Sequence, residues 1–132
     1  MENIINMKTQ IEPWLSLNFG EKAIEFYKSA FNAVETYRLE SPDGGVVVKL
    51  SVNGANFWLS CETGEINDNK TNNPLGGNNV RMILIVDDPE SVFAKAIAAG
   101  ATEIFPVDEE HGWRLGRLAD PFGLHWEIGH QL

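Results

Sequence analysis

The chain states one pattern twice, and this limits its folds more than any other feature. Residues 23–33 have the apolar spacing of an amphipathic helix and run out at Asn32. Residues 89–101 repeat that spacing and run out at Gly100, 68 residues later. Asn and Gly both tolerate the left-handed conformation that closes a helix. Each helical run follows one strand-like run and precedes three more. A short chain built from two α/β units of this kind places its binding site where units meet.

The first unit opens on residues 11–17, which alternate. Ile11, Pro13, Leu15 and Leu17 share one face, and Glu12, Trp14 and Ser16 share the other. A helix is predicted over residues 21–32, with Ile24, Tyr27 and Phe31 as its inward stripe. Strands follow at 34–40, 46–52 and 56–61, joined by the Ser41-Pro42-Asp43-Gly44-Gly45 turn and by Asn53-Gly54. Residues 62–79 are Asn-rich and contain Pro74, which reads as a connector. The second unit opens on the apolar run 80–86. Asp88 then supplies an N-cap and Pro89 the first helical position. Strands are predicted at 102–107, 112–119 and 124–129. The organisation is an N-terminal extension (1–10), a first βαβββ module (11–62), a linker (63–79) and a second module (80–132), all in one structural domain. One helix covers one face of a four-stranded sheet, so the other face must curl into a trough. The expected fold class is α+β: two βαβββ modules forming a half-open, cupped β-sheet barrel with helices outside.

Composition narrows the partners. A net charge of −9 and a pI near 4.7 disfavour nucleic acid and anionic membrane surfaces, which need clustered Lys and Arg. No apolar run approaches the ~20 residues of a membrane span. Residues 1–10 lack the layout of a secretion signal, so the expected compartment is the cytoplasm. One cysteine, Cys61, excludes an intrachain disulfide and any multi-Cys zinc site. It ends an apolar run and reads as a buried, inert thiol.

Three stretches resemble one known superfamily. They are Ala23-Ile24-Glu25-Phe26-Tyr27-Lys28 with Ala30-Phe31, then Val86-Asp87-Asp88-Pro89 with Ala98-Ala99-Gly100-Ala101. The third is 112–117 followed by Asp120-Pro121-Phe122-Gly123-Leu124-His125-Trp126-Glu127. They are similar to the vicinal oxygen chelate superfamily of glyoxalase I, bleomycin-resistance proteins and extradiol dioxygenases, and to its PhnB-like glyoxalase-like branch. The resemblance implies a trough where metal-using members hold a divalent ion on one residue from each of four strands. Those seats fall here on Glu12, on Trp58 or Ser60 depending on register, on Arg81 and on Glu127. Arg cannot coordinate a cation and Trp offers no lone pair.

The expectation is therefore a protein that binds a small organic ligand between its modules without the family metal. Arg81, Glu12 and Glu127 would form a polar cluster on the trough floor, with Trp14, Trp58, Ser60 and His125 lining it. The alternative is a metal-dependent lyase, isomerase or dioxygenase using Glu12, His125 and Glu127, since His125 and Glu127 share a strand face. His125 also reads as a structural histidine, and Trp126 as packed under a helix. Arg114 and Arg117 point to opposite faces. The resemblance further implies a homodimer, with the halves paired within a chain or exchanged between chains.

Overall fold

The computed structural model describes residues 9–18, 20–42, 44–61 and 80–132. The expected linker and residues 1–8 of the expected extension lie outside them. The first module consists of β1 (Trp14–Leu17), α1 (Glu21–Phe31), β2 (Val34–Glu40), β3 (Val46–Val52) and β4 (Ala55–Cys61). The second consists of β5 (Met82–Ile85), α2 (Pro89–Ala98), β6 (Thr102–Glu110), β7 (Trp113–Ala119) and β8 (His125–Gln131). They form two four-stranded mixed sheets, ordered β1-β4-β3-β2 and β5-β8-β7-β6. In each, the outer first strand runs parallel to its neighbour and the other pairs are antiparallel. This is the α+β architecture of two modules that the duplication implies.

The helix ends follow their sequence signals. Asn32 takes the left-handed conformation (φ 60°, ψ 34°), and its N–H donates to the Lys28 carbonyl. Gly100 closes α2 at φ 126°. The Asp88 carboxylate accepts the Ser91 N–H at 3.3 Å, with Pro89 beginning the helix.

Strand alternation sorts side chains onto two faces of each sheet. Leu15, Leu17, Val48, Leu50, Phe57 and Leu59 are buried on the helix side of the first sheet; Leu84, Leu118, Trp126 and Ile128 are buried on that of the second. Both helix sides feed one core. The Tyr27 ring of α1 lies 5.2 Å from Phe57 of β4 and 5.7 Å from Trp126 of β8, and those two rings are 5.6 Å apart. Trp126 is thus packed under a helix, as alternation from Glu127 requires.

A buried acid ties the modules together. Asp120 is 4% exposed. Its Oδ2 accepts the Tyr27 hydroxyl at 2.5 Å and the Trp126 indole N–H at 2.9 Å. Its Oδ1 accepts the backbone N–H groups of Phe122 and Leu124. A buried carboxylate persists only with such a set of donors. Burial, reinforced by the Asp120 charge, pushes the Tyr27 phenol well above its usual range and keeps it a donor.

Element ends shift from the sequence reading by one to three residues, most at two strands. β1 starts at Trp14 rather than at residue 11, and Ile11 is 95% exposed. β6 continues through Pro106 to Glu110 instead of stopping at 107. β6 is an outer strand whose register slips between Phe105 and Asp108, and an outer, bulged strand accommodates proline. No helix among the described residues is long and apolar enough to cross a membrane.

Candidate functional site

The faces away from the helices stay open. On the first sheet, the Trp14 and Trp58 rings stack at 13° with centroids 5.7 Å apart, and Tyr37 meets Trp58 edge-on at 5.8 Å. Each indole N–H is anchored. Trp14 donates to the Ser60 hydroxyl at 2.9 Å, and Trp58 donates to Glu12 Oε1 at 2.8 Å. Asn56 donates to Glu12 Oε2 at 3.1 Å, and Lys49 Nζ lies 3.7 Å from Oε1. The hydrogen bonds from Trp58 and then Asn56, helped by Lys49, hold the Glu12 carboxyl below the usual glutamate value. Lys49 also sits 5.3 Å above the Trp58 ring centroid. The result is an aromatic shelf whose charges cancel.

The second sheet's open face carries a cleft of about 460 Å³. Ile83, Phe105, Trp113 and Leu115 form its apolar walls, and Arg117 and Glu127 its polar end. Glu127 Oε2 accepts Nε and Nη2 of Arg117 at 3.2 and 3.1 Å, and Arg81 Nε forms an ion pair with it at 3.0 Å. The Arg117 guanidinium lies 5.4 Å from the Phe105 ring centroid. Arg114, on the opposite face of β7, instead pairs with Glu90 of α2 and with Glu109.

The expected trough-floor cluster is therefore corrected. Arg81 and Glu127 meet, but among the described residues no hydrogen bond or ion pair joins Glu12 to either. Glu12 precedes β1, and the nearest donors in its own sheet, Trp58 and Asn56, take both its oxygens. The expected lining residues likewise divide into two groups. Glu12, Trp14, Trp58 and Ser60 belong to the first sheet, and Arg81, His125 and Glu127 to the second. His125 is half-buried and, among the described residues, its side chain enters no hydrogen bond or ion pair. His130 Nδ1 contacts the Val86 carbonyl at 2.8 Å, and His111 faces Glu110; neither approaches Glu127 as a ligand partner. Cys61 is buried, and desolvation pushes its thiol up, which makes it a poor nucleophile.

The first and last strands pair in the same register in both modules. Ser60 pairs with Ser16 across β4 and β1, and Glu127 pairs with Ile83 across β8 and β5. Trp58 and Ser60 lie on the open face of β4 as Glu127 lies on that of β8, and this shared register suits either as the counterpart of Glu127.

A divalent ion fits these residues poorly. Ser60 already receives the Trp14 indole, Glu127 Oε2 is engaged by two guanidinium groups, and Arg81 is itself a cation. Among the described residues no three His, Cys, Asp or Glu side chains converge as metal ligands. The Glu12–His125–Glu127 set is not assembled.

Sequence reasoning missed Asp120, which it read as part of a turn. An Asp opening a Pro-Phe-Gly turn is a signal for a carboxylate that bonds the backbone two and four residues on. It also missed the cleft walls Phe105, which sits at the β6 bulge, and Trp113, which begins β7.

The glyoxalase-like domain family matches residues 19–128. The chain belongs to that family. An uncharacterized protein of Mycobacterium bovis is 36% identical over 129 residues, covering 95% of this chain and 85% of the relative. A glyoxylase/bleomycin resistance protein/dioxygenase domain from Frankia superposes with a TM-score of 0.71 at 13% identity, over 96% of this chain and 100% of the other. TnmS3, an antibiotic binding protein from Streptomyces, superposes with a TM-score of 0.65 at 16% identity, over 96% and 100%. At such identities these two structures establish the shared fold alone.

Proposed function

We propose that this family member binds a small organic ligand in a trough that two copies complete, and that it does so without a metal. The observation carrying this reading is the division of the site. The aromatic shelf and the arginine cleft lie on different open faces, each too exposed to serve alone. Trp14 is 53% exposed, Ile83 56% and Phe105 56%. Tyr37, Leu39 and Ile85 are exposed beside them. Apolar surface of this extent on a soluble chain calls for a partner. A two-fold pairing that sets the shelf of one copy over the cleft of the other covers both faces twice and encloses two ligand sites. Small-molecule binding by a neighbour of this fold, the antibiotic-binding TnmS3, supports the reading. The helix motif at 23–31 and the motif at 120–127 support placement in the PhnB-like branch.

The test is direct. Light scattering of the full chain is expected to give the mass of a dimer, and Ile83→Asp is expected to give a folded monomer. Elemental analysis of protein purified without added metal is expected to find less than stoichiometric divalent ion. A monomeric wild type would refute the shared trough. One tightly held ion per chain, lost in Glu127→Ala, would move the protein to the metal-dependent enzymes.

A further inference from the structure

The two half-sites differ in what they leave unspent, and this defines a ligand. On the shelf, Glu12 and Lys49 cancel, and both Glu12 oxygens are occupied. The remaining capacity is the flat, accessible face of the Trp14–Trp58 stack, which takes a planar ring. At the polar end of the cleft Arg117, which lines it, and Arg81, which stands beside it, share the Glu127 carboxylate, leaving one positive charge in excess around that carboxylate. Arg81 has no hydrogen bond among the described residues, only its ion pair, and Arg117 spends Nε and Nη2 but not Nη1. Those free N–H groups call for an acceptor with negative charge.

Other charges lie on this face. Asp108 and Glu110 also line the cleft, but they pair with Leu115 and Trp113, two and four residues along β7 from Arg117. At ~3.4 Å per residue that is roughly 7 to 14 Å away. Both are exposed; Glu110 lies beyond the screening length of about 8 Å in physiological salt and Asp108 close to it. Asp108 accepts the Glu109 N–H, and Glu110 faces His111. They form the far rim, not the arginine end.

We infer that the ligand is a planar aromatic molecule bearing an acidic oxygen, its ring on the Trp14–Trp58 shelf of one copy and its acid on the Arg81–Arg117 pair of the other. This rests on the shared trough of the preceding section. A neutral aromatic leaves the guanidinium groups unanswered, and an aromatic amine meets them with like charge.

The experiment compares 2-naphthoate with its neutral isostere 2-naphthamide, titrated into the full-length protein by calorimetry and tryptophan quenching. The acid is expected to bind about tenfold or more tightly, the difference made by a charge-assisted hydrogen bond. Raising ionic strength is expected to weaken the acid and not the amide. Arg81→Gln is expected to bring the two affinities together, and Trp14→Ala to weaken both alike. Equal or tighter binding of the amide, a preference that survives Arg81→Gln, or no binding of either probe by a confirmed dimer overturns the inference and leaves the shared trough standing. A wild type that is monomeric, binds the acid through Arg81 and is indifferent to Trp14→Ala overturns the shared trough itself.

Discussion

The two open faces are built on the same strand order and carry different chemistry. In the first sheet one row reads Ser16–Ser60–Val47, and in the second one row reads Ile83–Glu127–Arg117. The adjacent row is Trp14–Trp58–Lys49 against Arg81 with His125–Ala119. Where one module places an indole donating to a hydroxyl at 2.9 Å, the other places a guanidinium beside a carboxylate at 3.0 Å. The helix-side faces do not diverge in this way: both are apolar and meet in one core. A face that must bury against its own helix is constrained by packing, and a face that stays open is free to take up a ligand's chemistry.

The comparison assumes that both modules form one body. The strongest test removes the acid that joins them. Asp120→Ala leaves the Tyr27 hydroxyl, the Trp126 indole and two backbone N–H groups without an acceptor in the core. The expected loss is ~3–5 kcal/mol in urea unfolding. Tyr27→Phe, which removes one donor, is expected to cost about 1–3 kcal/mol. A small loss for Asp120→Ala would mean that the modules are held by their aromatic core alone.

Next in size is a difference in backbone packing. A Cβ at Gly129 would run into the Arg114 carbonyl and stand 2.8 Å from the Leu115 Cα. Gly129→Ala is expected to destabilise by ~2 kcal/mol or more and to disturb the β7–β8 ladder that carries Arg117 and Glu127. Calorimetric melting should show the loss. Polar groups on the two open faces should matter less. Glu127→Gln leaves two guanidinium groups without their counter-ion in a half-buried site, with an expected cost of ~1–2 kcal/mol. Ser60→Ala removes one neutral acceptor and is expected to cost about 1 kcal/mol or less. Equal costs would erase the contrast between an ionic face and a neutral one.

How much of this was legible in the sequence follows from range. Local signals carried the elements: Asn32, Gly100 and the Asp88-Pro89 pair closed and opened the helices where expected. Period-2 alternation correctly placed Trp126 inward and Arg114 opposite Arg117. Relations set by long-range packing were not legible. The family resemblance offers Trp58 or Ser60 as the partner seat of Glu127, and the strand ladders, which pair alike in the two modules, suit both. Glu12 appeared to share a trough with Arg81 because the modules were placed side by side. The common core under Tyr27 instead joins their helix sides, so Glu12 finds its partners within its own sheet.

The mildest effect concerns that same glutamate and separates the faces by pH. Glu12 is held below its usual value mainly by the Trp58 indole hydrogen bond, then by Asn56 and Lys49. A carboxyl whose folded-state value is depressed contributes stability fully above its unfolded value, about pH 4.3 for Glu. That contribution is lost as pH falls through the lower folded value. Protonation removes the charge that Trp58 Nε1 and Lys49 face, so Trp58 should loosen from the Trp14 stack before global unfolding. A blue-to-red change in tryptophan emission in the acid range, ahead of the loss of far-ultraviolet dichroism, is expected in the wild type. Glu12→Gln keeps an acceptor for the indole but cannot titrate, so its emission should stay flat over that range. If both proteins report the same early change, the titrating group lies elsewhere; Glu35, held low chiefly by Arg38 at the α1–β2 joint, is then the group to replace.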